Sequence, residues 1–231
     1  MNDIRAITLD LDDTLWEIHP VIHRAERGLY EWLSDRYPRI TAQNTREQMQ
    51  AQRVAVALEF PQHSHDYTFM RRTVLGRLGT AAGYGERIVD EAMAVFDRLR
   101  NDVQIFPEVR PALASLRERY VLIAVTNGNA NLAMIGIDDL FHDIVTARVA
   151  GAAKPAQQIF DVAVRAAGVK PEQTLHVGDH PEFDVDGAIA AGLHAIWVNR
   201  HGHDWPEDLR KPHGEVAHVG QLQGLLEQVR Q

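Results

Sequence analysis

The stretch IRAITLDLDDT, residues 4–14, decides how the rest of the chain is interpreted. Its apolar half, residues 4–9, is typical of a buried β-strand, and it leads directly into Asp10 and Asp12. Two carboxylates two residues apart can point into one cleft if the backbone turns after the strand. A divalent cation there would relieve their repulsion and would neutralise a bound phosphate group. For this segment alone, a solvated acidic turn is an equally simple explanation.

Beyond this stretch the sequence pattern changes twice. Residues 18–103 carry apolar side chains at helical spacing, interrupted by Pro38 and Pro61, and predict a module of several helices. From Pro107 onward, apolar strands alternate with helices. Strands are expected at 121–125, 144–146, 174–177, 195–198 and 216–219, and helices at 108–119, 155–167, 184–191 and 222–229.

This alternation predicts an α/β fold with a Rossmann-like, doubly wound parallel sheet that helices cover on both faces. Residues 1–17 and 104–231 are expected to form the α/β core domain. Residues 18–103 would form a helical domain inserted after the first strand. In open α/β sheets ligands bind outside the carboxyl ends of the strands, so polar residues that follow different strands are expected to meet in one cleft.

The amino-acid composition argues against several classes of function. The chain has 231 residues, a net charge of -8 and 45% hydrophobic residues, which suits one large domain or a domain with an insert. Without a basic run it is not expected to bind nucleic acid, and no apolar run approaches the ~20 residues that span a bilayer. The first residues do not resemble a signal peptide, and the absence of cysteine excludes disulfides and a thiol nucleophile. A cytoplasmic location without a membrane partner is expected.

Three further segments carry polar residues near predicted strand ends or helix starts. Thr126 and Asn127 follow the strand at 121–125 and could hold phosphate oxygens, although, taken alone, they are better explained as caps of a helix. Lys154 precedes a predicted helix and, taken alone, is better explained as a surface lysine. Asp179 follows the strand at 174–177, where a magnesium site would need a carboxylate. Asp184 is also explained as an acidic residue at a helix start.

These four segments, in this order, resemble the haloacid dehalogenase-like superfamily, whose members are mostly phosphatases. The resemblance covers residues 4–17 and about 105–200, and the helical insert is placed like that family's C1-type cap. Its most specific element is the apolar strand followed by Asp-x-Asp-x-Thr. The stretch from 176 to 198 is most similar to the branch that contains bacterial flavin-pathway phosphatases.

The resemblance implies a Mg²⁺-dependent phosphatase that acts on a small phosphate ester. Asp10 would be the nucleophile that forms an aspartyl-phosphate, and Asp12 the general acid and base. Asp10 and Asp179 would bind Mg²⁺ through carboxylates and Asp12 through its backbone carbonyl.

The remaining site residues would bind or support the phosphoryl group. Thr126 and the Asn127 backbone would hold its oxygens, and Lys154 would neutralise the charge on these oxygens and on Asp10. Asp184 would orient Lys154 or a metal-bound water. His180 and Phe183 depart from the family pattern, which has small or polar residues at their positions.

Several competing functions stay open from the sequence. A haloacid dehalogenase is disfavoured because that branch lacks an acid two residues after its nucleophile, where this chain has Asp12. The sequence also permits phosphoryl transfer in a phosphomutase and a catalytically inactive binding module. A zinc site at the histidine pairs 63 with 65 or 201 with 203 is disfavoured because no cysteine or His-Glu-x-x-His pattern supports it.

Substrate choice is expected to lie mainly in the predicted cap. FMN or a ribityl or sugar phosphate is the suggested substrate. Trp32 is expected to belong to the core of the cap, whereas the functions of Arg53, Arg71 and Arg72 stay open.

Overall fold

The computed structural model describes residues 3–229. The chain divides into two compact units, which we call the core unit (Met1–Glu17 with Gln104–Gln231) and the helical unit (Ile18–Val103). Within the described residues, no helix combines the length and the apolar character needed to cross a membrane.

The core unit is built on a six-stranded sheet in the order β3-β2-β1-β4-β5-β6, with every neighbouring pair parallel. The strands are β1 Ala6–Leu9, β2 Val121–Thr126, β3 Asp143–Thr146, β4 Thr174–Gly178, β5 His194–Val198 and β6 Gly214–Val216. All four residues of β1 are buried, because this strand lies in the middle of a sheet with covered faces. The predicted fold class, a parallel α/β sheet with surrounding helices, is confirmed.

Helices lie in the connections from β1 through β5, as crossover connections require. They are α6 Val109–Arg117, α7 Leu132–Ile135, α8 Ala147–Ala150, α9 Gln157–Ala167 and α10 Gly187–Ala190, and α11 Leu222–Val229 follows the last strand. Helix α9 buries Ile159 and Phe160 in a cluster that also contains Val125 of β2 and Trp197 of β5. This packing holds the carboxyl ends of the central strands in fixed positions.

The helical unit contains α1 Ile18–Arg36, α2 Pro38–Thr41, α3 Arg46–Glu59, α4 Tyr67–Ala81 and α5 Ile88–Arg100. Pro38 is the first residue of α2. Thr45 caps the N-terminus of α3 through a capping box that it forms with Gln48. Trp32 packs against the apolar core of this unit, 5.4 Å from Tyr37 between ring centroids. The structural role expected for Trp32 is therefore confirmed.

Several element boundaries differ from those expected by one or two residues, and three differences change how the site is built or which residues pair. Helix α9 begins at Gln157 rather than at 155, because Pro155 and Ala156 lie in the turn that follows Lys154. The helix expected at 184–191 is a π-helical turn, Pro181–Asp186, continued by the short α10. The last strand is Gly214–Val216 rather than 216–219, because its residues pair with Ile196 to Val198 of β5.

Candidate active site

Polar residues from four separate segments of the core unit line one open cleft. They follow β1, β2 and β4 and include the turn before α9. The lining residues are Asp10, Asp12, Asp13, Thr126, Asn127, Gly128, Lys154, Asp179, His180, Phe183 and Asp184. Every site residue proposed from the sequence is in this set.

Asp10 lies at the first position after β1, and the sheet fixes its backbone. Its amide N–H donates to the carbonyl of Val177 at 2.9 Å, so the residue is tied to the neighbouring strand β4. Its side chain is buried and makes an ion pair with the ammonium of Lys154. Lys154 therefore lies directly against the proposed nucleophile.

Lys154 is buried, and its ammonium donates to three oxygens. These belong to Asp10, to Asp184 at 2.6 Å and to the carbonyl of Val125 at 3.1 Å. The Asn127 side chain holds the Lys154 backbone from both sides, donating to its carbonyl at 3.0 Å and accepting from its amide at 2.7 Å. Lys154 is thus clamped at its backbone and at its charged end.

Asp184 holds the ammonium from the opposite side. Its Oδ1 accepts from Lys154 and lies 3.1 Å from Nε2 of His176, and its Oδ2 accepts from the amide of His180 at 2.9 Å. The carboxylate reaches this position by passing directly over Gly178. A Cβ on Gly178 would lie only 2.3 Å from the Asp184 carboxyl carbon, so this close approach requires glycine.

Thr14 connects two of the acidic side chains. Its hydroxyl is 3.1 Å from Oδ1 of Asp179 and 3.4 Å from Oδ2 of Asp10. The backbone carbonyl of Asp179 accepts from the indole N–H of Trp197 at 2.7 Å. These contacts hold Asp179 beside Asp10 at the ends of β4 and β1.

Asp12 is positioned by a backbone turn and a neighbouring indole. Asp13 has a φ of 62°, a left-handed conformation that reverses the chain just after Asp12. Trp16 donates its indole N–H to Oδ1 of Asp12 at 2.9 Å. The turn that the acidic motif required after β1 is therefore present, and the second carboxylate is oriented by a specific hydrogen bond.

Thr126 has a different partner from the one expected of a helix cap. Its hydroxyl oxygen accepts from the amide of Gly128 at 2.8 Å, which tightens the loop after β2. The Thr126 side chain can still donate its own hydroxyl proton toward the cleft that it lines.

Burial raises the pKa values of two carboxyl groups in the cleft. For Asp10 burial is the main cause, with a further rise from Asp184 and Asp179, and the pKa lies well above its usual value although Lys154 opposes the shift. Burial also raises the pKa of Asp179 to about 7, and the charges of Asp184 and Asp13 add to the effect. The cleft therefore disfavours the ionised form of both groups unless further positive charge arrives.

Lys154 and Asp184 stabilise each other's charges. Burial opposes the ionisation of Asp184, but the Lys154 charge and the His176 hydrogen bond hold its pKa well below the usual value. Burial likewise opposes the charge of Lys154, but Asp10 and Asp184 raise its pKa. The pair is therefore an ammonium and a carboxylate across the physiological pH range.

The donor set in the cleft suits a hard divalent cation. Carboxylate oxygens of Asp10, Asp179 and Asp184 all lie within 4.8 Å of one another. Mg²⁺ prefers oxygen ligands, typically one or two carboxylates together with water and substrate phosphate. Asp184 accepts three hydrogen bonds, from Lys154, His176 and the amide of His180, which is more than Asp10 or Asp179 accepts from the residues of the cleft. Asp10 and Asp179 are therefore the carboxylates that fit the cation best.

Three contacts in the cleft were not anticipated from the sequence. They are the bridge that Thr14 makes between two carboxylates, the clamp of the Asn127 side chain on Lys154, and the buried His176 behind Asp184. The position of Thr14 in the acidic motif was a usable signal. The other two contacts join residues 27 and 8 positions apart, and no local pattern indicates them.

Comparison with known proteins identifies the family. The family model for haloacid dehalogenase-like hydrolases matches residues 4–192. The chain is 32% identical to the 5-amino-6-(5-phospho-D-ribitylamino)uracil phosphatase YigB of Escherichia coli, and the match covers 96% of each protein. It is 29% identical to a glyceraldehyde 3-phosphate phosphatase of Methanopyrus kandleri over 85% of this chain and 84% of that protein.

Solved structures agree with this assignment. A 2-haloacid dehalogenase from Pseudomonas syringae pv. Tomato superposes with a TM-score of 0.93 at 37% identity, covering 98% of this chain and 99% of the other. A HAD phosphatase from Thermococcus onnurineus, at 24% identity, shares the fold with a TM-score of 0.71 and covers 96% and 98% of the two chains. The chain belongs to the haloacid dehalogenase-like hydrolase family.

Proposed function

We propose that this chain is a Mg²⁺-dependent phosphatase that hydrolyses small phosphate monoesters through a phosphoryl-enzyme intermediate on Asp10. The observation that carries the proposal is the buried contact between the Asp10 carboxylate and the Lys154 ammonium, in a cleft that also contains Asp12 and Asp179. Membership of the family and the phosphatases among its relatives support the same reaction class.

In the first step, a carboxylate oxygen of Asp10 attacks the phosphorus of the substrate. The bond between phosphorus and the ester oxygen breaks, and its electron pair leaves with that oxygen, which takes a proton from the carboxylic acid of Asp12. The ammonium of Lys154 stabilises the negative charge on Asp10 and on the phosphoryl oxygens. The Thr126 hydroxyl and the backbone amide of Asn127 donate hydrogen bonds to those oxygens.

In the second step, the Asp12 carboxylate removes a proton from a water molecule as the water oxygen attacks the phosphorus. The bond from phosphorus to the Asp10 oxygen breaks, which releases inorganic phosphate and restores the Asp10 carboxylate. The hydrogen bond from Trp16 holds Asp12 in place for both proton transfers. Phosphoryl transfer depends mainly on positioning and charge stabilisation, which these residues supply.

The residues present also fit Mg²⁺. The cation would be held by the carboxylates of Asp10 and Asp179 and by the backbone carbonyl of Asp12, and it would supply positive charge to the phosphoryl oxygens. In this proposal Asp184 is a positioning residue for Lys154.

The proposed substrate is a small phosphorylated metabolite such as FMN or a ribityl or sugar phosphate. The relative from Escherichia coli, which matches over nearly its full length, is a 5-amino-6-(5-phospho-D-ribitylamino)uracil phosphatase. The cleft in the core unit has a volume of about 150 Å³. That volume is well below the ~300–1,000 Å³ of pockets that enclose a whole drug-sized ligand, so it suits the phosphoryl group and the adjoining atoms of the leaving group.

Haloacid dehalogenation is the second candidate, because a 2-haloacid dehalogenase is 37% identical to this chain over nearly its whole length. A halide leaves without a proton, so that reaction has no use for an acid at position 12. Here the Asp12 carboxylate lines the cleft and is oriented by Trp16. This location of Asp12 and its hydrogen bond from Trp16 favour hydrolysis of a phosphate ester.

The direct test is phosphate release by the purified protein from FMN, ribitol 5-phosphate, ribose 5-phosphate and p-nitrophenyl phosphate. We expect turnover with Mg²⁺, loss of turnover with EDTA and recovery when Mg²⁺ is added in excess. Chloride release from 2-chloropropionate without phosphate release would establish the dehalogenase instead. An isomerised sugar phosphate in place of free phosphate would indicate a phosphomutase, and inactivity on every ester would indicate a binding module.

A further inference from the structure

An aromatic pair at the cleft has no part in the proposed reaction. The imidazole of His180 and the phenyl ring of Phe183 stack with their centroids 4.0 Å apart and their planes inclined by 10°. Both residues line the same cleft as Asp10, and Phe183 keeps 37% of its surface exposed. A ring exposed beside a polar cleft presents apolar surface to water, and a ligand that covers this surface gains binding energy.

Hydrogen bonds hold the imidazole of this pair and the backbone of both residues, and the phenyl ring stacks on that imidazole. Nδ1 of His180 accepts from the amide of Phe183 at 3.1 Å, and the His180 amide donates to Asp184 at 2.9 Å. Asp184 also holds the ammonium of Lys154, so the rings and the phosphoryl-binding charge are fixed by the same carboxylate. A surface that is already ordered loses little conformational entropy when a ligand binds.

We propose that the His180–Phe183 pair forms an aromatic platform on which a planar ring of the leaving group stacks. Of two phosphate monoesters that differ only in whether a ring near the ester bond is planar or saturated, the enzyme would then hydrolyse the one with the planar ring faster. This inference rests on the proposed phosphatase function and adds a substrate class to it. Offset stacking between aromatic rings adds to the burial of apolar surface, so a planar ring gains more from this platform than a saturated ring of similar size.

Benzyl phosphate and cyclohexylmethyl phosphate form a matched pair of substrates for this test. Both release a primary alcohol, and they differ mainly in whether the six-membered ring is planar. We expect the wild-type kcat/KM to favour benzyl phosphate by roughly 2- to 10-fold. Phe183→Leu, which keeps apolar volume and removes the aromatic face, should bring the ratio to about 1. Phe183→Tyr, which keeps the face, should retain the preference.

A control variant and a binding measurement separate the platform from catalysis. Val149 is an exposed apolar residue elsewhere in the core unit, and Val149→Ala should leave the ratio unchanged. Calorimetry with Asp10→Asn protein should show tighter binding of benzyl phosphate than of cyclohexylmethyl phosphate. Equal affinities, or a preference that survives Phe183→Leu, would contradict the platform. A binding preference without phosphate release from any ester would reject the phosphatase function and support the platform.

A different observation concerns a buried histidine behind the cleft. His176 in β4 is fully buried, and its ring meets Phe160 edge to face with centroids 5.2 Å apart. Its Nε2 lies 3.1 Å from Oδ1 of Asp184, and its Nδ1 lies 2.8 Å from the hydroxyl oxygen of Thr8. An ionised carboxylate can only accept, so Nε2 carries a proton, and burial lowers the pKa of His176 and favours the neutral ring, in which Nδ1 accepts from the Thr8 hydroxyl.

The oxygen of Asp184 that accepts from His176 is also the one that accepts from Lys154 at 2.6 Å. We infer that His176 is a positioning residue for the proposed reaction, acting through Asp184 to keep the Lys154 ammonium against Asp10. The chain of contacts is buried from end to end, so water cannot replace a lost donor readily. Loss of such an outer hydrogen bond around a site typically costs roughly 10- to 100-fold in activity or affinity.

Two variants at position 176 test this inference. His176→Gln keeps an N–H donor that can reach Asp184, and His176→Leu keeps apolar volume without a donor. We expect kcat for p-nitrophenyl phosphate to fall roughly 10- to 100-fold in His176→Leu, with a smaller change in KM, and to recover largely in His176→Gln. The chain has lysine at three positions, so lysine-selective carbon labelling resolves the Lys154 side chain by NMR. Its signal should shift in His176→Leu and stay near the wild-type position in His176→Gln.

A histidine that only fills the core would give a different result. His176→Leu would then lose thermal stability but keep the wild-type kcat and the wild-type Lys154 signal, and the inference would be wrong. If this variant fails to fold, Thr8→Val removes only the hydroxyl that orients the ring, and the same changes are expected at smaller size. The NMR shift tests the positioning role even if the wild-type protein hydrolyses no ester.

Discussion

Each unit of the molecule contains a buried or partly buried network of charged groups, and the two networks differ in which charge is in excess. In the helical unit, the carboxylate of Glu26 pairs with Arg53 and Arg71, each at 2.9 Å. In the core unit, the ammonium of Lys154 contacts Asp10 and Asp184, and the carboxylate of Asp179 lies within 4.8 Å of both carboxylates. One network has an excess of cations over its carboxylate, and the other has an excess of carboxylates over its cation.

The carboxylate of Glu26 is paired within the helical unit, although Nη1 of the buried Arg71 has no hydrogen-bond partner among the described residues. Burial disfavours the charge of Glu26, but Arg71 and Arg53 lower its pKa. Burial lowers the pKa of Arg71 to about 10, which leaves it a cation, and its guanidinium lies 3.3 Å from the ring centroid of Phe96. The sequence left the functions of these arginines open, and the structure shows that they bind Glu26.

The network of the core unit leaves its carboxyl groups short of positive charge. Burial and the neighbouring carboxylates raise the pKa values of Asp10 and Asp179 at an open cleft. Carboxyl groups with strongly raised pKa values in a cleft are typical of functional sites. The direction of the pKa shift, upward for Asp10 and Asp179 and downward for Glu26, therefore separates the candidate active site from the ion pairs of the helical unit.

Removing the nucleophile should disrupt the core network most severely. Asp10→Asn keeps the size of the side chain and an oxygen for Lys154 but cannot attack phosphorus effectively. We expect kcat for p-nitrophenyl phosphate to fall at least about 10⁴-fold, measured as phosphate release from protein whose circular dichroism is unchanged. Asp208→Asn, at an exposed position, is the matched control and should retain full activity. Turnover at the wild-type rate by pure Asp10→Asn protein would contradict the proposed mechanism.

Asp12→Asn should have the next largest effect, because it removes proton transfer and keeps the rest of the cleft. We expect a loss of roughly 10²- to 10⁴-fold in kcat with an alkyl phosphate such as ribose 5-phosphate. The loss should be smaller with p-nitrophenyl phosphate, since p-nitrophenolate leaves without a proton. An equal loss on both esters, measured by initial rates, would argue against Asp12 as the general acid.

Asp179→Asn should raise the free energy of unfolding, because it removes one of the carboxyl groups that the cleft disfavours in ionised form. The folded-state pKa of Asp179 is about 7 against an ordinary value of 3.8, so its ionisation disfavours the folded state increasingly as pH rises from about 4 to 7. In EDTA at pH 8, the free energy of unfolding of the variant should exceed that of the wild-type protein by about 1–4 kcal/mol. This difference should vanish below about pH 4. Denaturant titrations at several pH values measure this.

The same unfolding titrations in the presence of Mg²⁺ test the proposed cation site. It should stabilise the wild-type protein at pH 8 and stabilise Asp179→Asn much less, because the variant lacks one of the proposed ligands. A variant that is no more stable than wild type in EDTA would show that the excess of acidic charge is not a real property of the cleft.

Glu26→Gln should have the smallest effect of the four and should alter stability alone. It leaves two arginines without their carboxylate, and we expect a loss of about 1–3 kcal/mol in the free energy of unfolding at pH 7. Because the pKa of Glu26 is lowered in the folded state, its contribution is present at neutral pH and fades as pH falls below about 4.5 through the folded-state pKa.

The control for the helical unit is an exposed ion pair. Arg72→Gln removes the contact with Asp90, in which both side chains are substantially exposed, and should cost less than Glu26→Gln. Denaturant unfolding measures both variants, and kcat per folded molecule should stay at the wild-type value. A large fall in kcat for Glu26→Gln would contradict the structural role of this network.

Much of the core unit follows from local sequence. The apolar strand before Asp10 and the alternation of strands and helices predicted a parallel sheet, because strands buried on both faces read as short apolar runs. Parallel strands end at one edge of the sheet, so the residues after β1, β2 and β4 were expected to meet, and they line one cleft. Helix boundaries were less accurate, since the π-helical turn at Pro181–Asp186 depends on contacts outside its own sequence.

The fold class and the positions of the polar residues around the cleft could be read from the amino-acid sequence, because both follow from periodicity and from the direction of parallel strands. The resemblance to a known family implied that Lys154 meets Asp10 and Asp184, whereas the other charge pairs were decided by tertiary packing. Packing places His176 beside Asp184 and pairs Arg53 and Arg71 with Glu26. Such pairings depend on distances of a few ångströms between residues remote in the chain, and no local pattern encodes those distances.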